Sequence, residues 1–185
     1  MESQRTSLLG KTVMSLTGNE VLDTKQFFIH FLDYSPNGQN DIGCLITGLY
    51  LANVKVAKEQ ASMISTIKII KKSDALHVPD MTEIIEMLLN DKVIEAAKDE
   101  NSNLSIFKLI KNERYKTFHI NILNCIRDIS FLIGHDSCDV LSIIEKQKSW
   151  KKAQEGSVID VSDDMFTDKE LKDAKERLKD IPKFK

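Results

Sequence analysis

Residues 41–72 read DIGCLITGLYLANVKVAKEQASMISTIKIIKK. Ile42, Leu45, Ile46, Leu49, Val56, Ile64 and Ile67 keep close to a 3.6-residue period, the spacing that gathers side chains on one helix face. The pattern predicts a helix that opens near Asn40 or Asp41 and reaches Lys72, either unbroken or divided near residues 60–62. Lys68, Lys71 and Lys72 would then lie at its carboxyl end, where cations complement the helix dipole. Gly43 and Gly48 read as close-packing positions on this helix. A phosphate loop is excluded there, because Leu49 rather than Lys follows Gly48 and no G-x-G-x-x-G occurs anywhere.

The pattern extends to both sides. Upstream, residues 1–22 are polar and small, with Gly10 and Gly18 interrupting any early helix and a short helix expected around 8–16. Asp23 and Gln26 form a capping pair ahead of Phe27, Phe28, Phe31 and Leu32, and Ser35-Pro36-Asn37-Gly38 is a strong turn. Downstream, Asp80 and Glu83 open a helix whose stripe is Ile84, Ile85, Leu88, Leu89 and Val93. A short helix over 104–110 follows, then a longer one over 113–133 with Tyr115, Phe118, Ile122, Ile126, Ile129 and Ile133 on one face. Gly134 reads as its C′ stop. Asp136 or Ser137 caps a last helix to about Gln154, closed by Gly156. The expected fold is all-α, a single irregular bundle of six or seven helices over 23–156. A polar segment at 1–22 precedes it, and a mobile tail at 157–185 follows it.

Composition supports helices and narrows the setting. Gly (7) and Pro (3) are scarce in 185 residues, which argues against turn-rich sandwiches and barrels. The formal net charge of -2 removes the long-range attraction that dedicated nucleic-acid binders carry. Three Cys, far apart, supply no disulfide framework. No apolar run approaches the roughly 18 residues of a membrane span. A cytoplasmic setting, with nuclear access open, is the expectation.

Candidate chemistry is sparse. His119, Cys125, His135 and Cys138 offer zinc-ligand types, but no C-x2-C or H-x3-H spacing organises them, so no metal and no cofactor are expected. Cys138 in the first turn of a helix, with His135 as base, is the weak catalytic pair. Asp136 and Ser137 are explained as caps, and the nearby aspartates disfavour a thiolate. Lys146, Lys148, Lys151 and Lys152 surround Trp150, an arrangement that can stack a base and neutralise phosphates. With only 4 Arg in the chain, solvated lysines around a Trp that anchors the core or the tail are the favoured reading.

Charge is uneven along the chain. Residues 1–156 hold 19 basic and 20 acidic side chains, whereas residues 157–168 hold four Asp and no Lys or Arg. Beyond them Thr167 and Glu170 form a second capping pair, opening a segment with a thin stripe of Leu171, Ala174 and Leu178.

Within the acidic stretch stands Val158-Ile159-Asp160-Val161-Ser162-Asp163-Asp164. This resembles the SUMO-interacting motif, an aliphatic core followed by Ser and acids. The resemblance implies a segment that adds as a β-strand to the edge of SUMO's sheet, its acids facing a basic surface. The aliphatics are β-branched and suit a strand. Ser157-x-x-Asp160 and Thr167-x-x-Glu170 look like acid-directed kinase sites, where phosphate would lengthen the negative flank. The competing and plainer reading is that the three aliphatics pin the tail onto the helical core.

The expected function is a non-enzymatic intracellular interaction or regulatory protein, virus-encoded in style, whose partner is another protein such as SUMO or a SUMO-modified protein. The alternatives are an RNA-binding or virion-associated structural protein using Lys148, Trp150, Lys151 and Lys152, and a thiol enzyme at Cys138 and His135.

Overall fold

Helix α1, Glu20–Tyr34, buries ten consecutive residues, 23–32. Burial all round its axis makes it the central element, since a surface helix keeps one polar face. The computed structural model describes residues 5–6, 12–13, 18–73, 75–98, 105–112, 117–135 and 140–165. Asn19 caps α1, its Oδ1 accepting from Val21 and Leu22 N–H at 3.1 Å. Asp23, expected as the cap, lies one turn inside and is buried. The helix stops at Ser35, and Asn37 and Gly38 take φ of 59° and 65° in the turn that follows.

The all-α expectation is corrected. The described residues hold six helices and seven short strands. Around α1 pack α2, Ile42–Gln60, α3, Met81–Asn90, and α4, Ile120–His135. Strands β1, Arg5–Thr6, and β2, Thr12–Val13, pair antiparallel where a short helix was expected. Strands β3, Gln39–Asp41, β6, Ile94–Lys98, and β7, Ser105–Leu109, make an antiparallel sheet in the order β3-β7-β6, with Phe107 opposite both Asn40 and Ala96. The expected helix over 104–110 is therefore β7. Five residues give no room for a helical stripe, while Phe107 buried and Lys108 exposed fit the two-residue alternation of a strand.

The stretch that suggested an all-helical chain changes character at Ala61. Asp41 caps α2 as read, its Oδ1 accepting from Cys44 N–H at 2.9 Å, and Ala61 ends the helix in the left-handed region at φ 50°. Asn53, 1% exposed, then clamps the returning chain. Its Oδ1 accepts from Ile64 and Ser65 N–H at 2.9 and 3.2 Å, and its Nδ2 donates to the Ser65 carbonyl at 3.0 Å. Beyond the clamp Ser65, Ile67 and Ile69 face the core, while Lys68 is exposed. The chain is extended there and pairs as β4, Ile70–Lys71, with β5, Leu76–His77. Lys68, Lys71 and Lys72 thus sit at no helix end.

Two glycines hold elements close. A Cβ on Gly48 would overlap the Phe31 ring, which lets α1 and α2 approach as expected of a close-packing glycine. A Cβ on Gly134 would lie 2.8 Å from Pro36 Cδ, so Gly134 is a packing position inside α4 and not its stop. Ile122, Ile126, Ile129 and Ile133 are buried along α4 as predicted, but the helix begins at Ile120, so Phe118 is buried in the non-helical chain before it; Tyr115 lies outside the described residues. The last helical stretch divides at Gln147, φ -71° and ψ 143°, into α5, Val140–Lys146, and α6, Lys148–Lys152.

Candidate partner-docking segment

The acidic stretch is packed on the rest of the chain as far as Met165; residues 166–185 of the expected tail lie outside the described residues. Gly156, at φ 79°, turns the chain back along β4. Gly156 N–H donates to the Lys71 carbonyl at 2.8 Å, Lys71 N–H to the Ser157 carbonyl at 3.0 Å, and Ile159 N–H to the Ile69 carbonyl at 2.8 Å. Ile70 and Val158 thereby face each other in an antiparallel bridge. Ile159 and Val161 are buried, each 4% exposed. Asp160 Oδ1 accepts from Ser162 N–H at 3.0 Å and starts a 3-10 turn over Val161–Asp164. Of the two readings of this stretch, the docked one describes the fold.

The acids of the motif have specific partners. Asp164, 5% exposed, places Oδ1 3.0 Å from Lys148 N and Oδ2 3.3 Å from Ser149 N. Gln147, the residue before α6, makes no side-chain cap, so Asp164 satisfies the orphan donors of that helix start. Asp163 pairs with Lys152 at 2.6 Å. The negative charge of Asp164 also reaches Tyr50, whose hydroxyl meets Ser149 Oγ at 2.8 Å. Burial first, and then the Asp164 charge, push that phenol well above its ordinary value.

Lys71 holds the other end of α6. Its Nζ donates to the Trp150 and Ala153 carbonyls at 2.9 and 3.1 Å and stands 4.6 Å from the Trp150 ring centroid. Trp150 is 6% exposed, so the lysines around it do not flank an accessible aromatic. Lys151 and Lys152 are exposed, Lys148 is half-buried, and Lys152 is engaged with Asp163. Lys71 was missed as a site residue. The sequence signal for it is the alternation Ile67-Lys68-Ile69, which suits a strand rather than a helix end.

Among the described residues, the remaining candidates do not converge on a site. Cys125 is buried on α4 with Sγ 3.8 Å from the Ala52 carbonyl, and burial pushes its thiol up to about 11. Cys44 is pushed up to about 12 by burial first, then by the Asp41 carboxylate. Among the described residues no three His, Cys, Asp or Glu could hold a metal ion. His119 is exposed. Asp136, Ser137, Cys138, Thr167 and Glu170 lie outside the described residues, as does the side chain of His135. Among the described residues no helix is long and apolar enough to cross a membrane. No protein-family model, curated protein or solved structure matches this chain.

Proposed function

We propose that this is a non-enzymatic interaction protein of the cytosol or nucleus whose partner-binding element is the segment Val158-Ile159-Asp160-Val161-Ser162-Asp163-Asp164. The observation that carries this reading is the way the segment docks on its own chain. It pairs by main-chain hydrogen bonds with a sheet edge at Ile69 and Lys71. It seats the alternate aliphatics Ile159 and Val161 in the core, and it sets its acids against α6 and Lys152. Those are the three components of strand addition to a partner: backbone bonds for affinity, alternate side chains in pockets, and acids on a basic flank. A segment able to satisfy all three in cis has the chemistry to satisfy them in trans. SUMO is the partner proposed for it, on the resemblance of the seven residues to the SUMO-interacting motif.

The test uses a synthetic peptide of residues 155–165 and fluorescence anisotropy with SUMO. The expected result is saturable binding, lost when Val158, Ile159 and Val161 are all Ala. No binding of the unaltered peptide, or equal binding of the Ala peptide, rejects SUMO as the partner.

A further inference from the structure

We propose that residues 156–164 are a releasable strap. Docked in cis it withholds the motif from a partner's sheet edge, and peeling from β4 and α6 makes the motif available. The SUMO arm of this inference rests on the proposed function; the release itself does not.

The exclusion follows from what the docked strap has already committed. Ile159 and Val161 cannot enter a partner's pockets while they lie 4% exposed in this core. The Ile159 N–H, donated to the Ile69 carbonyl, is not offered elsewhere. Asp164 is 5% exposed against the start of α6. A ligand for a minor open state binds with its intrinsic constant divided by the open fraction, so docking lowers the apparent affinity in direct proportion.

The strap is also built to open as a unit. Its hinge, Gly156, is exposed, has φ 79°, and a Cβ there would meet nothing within 4 Å. Glu155 and Gln154 before it are exposed as well. Helices α1, α2 and α4 pack directly on one another, and the 3-10 turn of the strap lies against α2 from outside that trio. At its far end Val161 is buried where the 3-10 turn meets α2, and a carboxylate bonded to two backbone donors together with a half-exposed ion pair fastens the turn to α6. Hydrogen bonds to a charged group are the stronger kind of fastening, and an exposed pair is the weaker.

One substitution separates the fastening from the helix it caps. Lys148 is the first residue of α6, a position where proline is accepted. Gln147 before it already has φ -71° and ψ 143°, the region a pre-proline residue prefers. Lys148→Pro therefore removes the N–H that Asp164 Oδ1 accepts, leaves the residues of the motif unchanged, and keeps the Ser149 N–H for Asp164 Oδ2 at the start of α6. Lys148→Ala keeps that N–H and removes the side chain, so it is the control.

The experiment is hydrogen exchange on the full chain, with SUMO titrated into the same samples. Lys148→Pro is expected to speed exchange of the Ile159 and Lys71 amides together by about tenfold or more, with Phe28 and Leu49 amides unchanged, and to tighten SUMO binding by the same factor. Lys148→Ala, which keeps the N–H, measures the effect of the side chain alone, and the acceleration in Lys148→Pro must exceed it. If Ile159 and Lys71 do not accelerate together, or the acceleration spreads to Phe28 and Leu49, the strap does not open as a unit and the proposal is overturned. Acceleration with measurable but unchanged SUMO affinity overturns the withholding. Acceleration with no SUMO binding at all upholds the releasable strap and removes SUMO as its partner. A second variant covers the case in which Lys148→Pro does not fold. Lys152→Glu sets a like charge against Asp163 and leaves every residue of the motif unchanged. It must speed exchange of the Ile159 and Lys71 amides together, by several-fold as befits a half-exposed pair, and tighten SUMO binding by the same factor; no acceleration refutes the strap, and acceleration with unchanged SUMO affinity refutes the withholding.

Discussion

The carboxylate of Asp164 accepts from the backbone N–H of Lys148 at 3.0 Å, so a residue sixteen positions later in the chain closes the amino end of α6. At the opposite end Lys71 donates to the Trp150 and Ala153 carbonyls. A helix of five residues is too short to persist alone. It survives here because an anion covers its positive end and a cation its negative end, both supplied by β4 and the strap. Strap, strand and helix are therefore one unit held by charge as much as by apolar contact.

Asp164→Asn removes the charge and keeps one acceptor oxygen. The expected cost is about 1–2 kcal/mol, the range for a charged hydrogen bond at a partly buried helix terminus. Asp164→Ala, which leaves the Lys148 and Ser149 donors unmet, should cost more. Urea unfolding of the three proteins measures both, and equal midpoints would show that α6 is capped by something else.

Asn53 is the residue on which the course of the chain after α2 depends. It meets both N–H groups and one carbonyl of a buried turn. Asn53→Ala leaves three backbone groups unmet away from water, at about 1–3 kcal/mol each before relaxation. Asn53→Asp keeps the two accepted bonds but turns a buried carboxylate oxygen onto the Ser65 carbonyl, so it too should destabilise. Chemical denaturation midpoints of both variants well below wild type are the expected result, and an unchanged midpoint for Asn53→Ala would show that the clamp contributes nothing.

How far the fold could be read depended on where the deciding contacts lie. Helices α2, α3 and the core face of α4 were legible because their apolar spacing is local, Ile84 to Leu88 and Ile122 to Ile133, and because Asp41 caps α2; Asp80 precedes α3 as expected but makes no side-chain cap, and Val93 lies beyond the end of α3 at Asn90. The period that defined α2 carried past Gln60 through Ile64 and Ile67, although the chain had already become extended. What bends it, Asn53, lies eleven residues back from Ile64 and leaves no mark on the local pattern. Strand β7 was misread because Ser105–Leu109 is too short for either period to be distinctive. The tail motif was legible as residues, but its docking was not. That docking depends on an open edge at β4, a strand the helical reading had removed.

Ala61 ends α2 with φ 50°, a conformation that costs a residue with a Cβ roughly 1 kcal/mol. Ala61→Gly removes that strain but adds chain entropy to the unfolded state, which returns part of the gain. Because Ala61 is exposed, no packing is lost. A net gain of about 0.5 kcal/mol is expected, read as a small rise in melting temperature. A fall would mean that Ala61 is not held in the left-handed region.

Thiol chemistry supplies the pH prediction. Cys44 and Cys125 are pushed from 9.0 to about 12 and about 11, in both cases mainly by burial. A raised thiol value means that the folded state holds the proton more tightly than the unfolded chain does. Its contribution to stability is therefore complete below pH 9, declines as pH rises above the unfolded value, and is gone once pH passes the folded one. Two measurements follow. Alkylation of Cys44 and Cys125 in the folded protein near pH 8 should be far slower than in urea, because the thiolate is the nucleophile. Replacing both with Ser should flatten the loss of stability between about pH 9 and pH 12 relative to wild type. Equal alkylation rates for folded and unfolded chains, mapped to these two positions by mass spectrometry, would show that neither thiol is held as described.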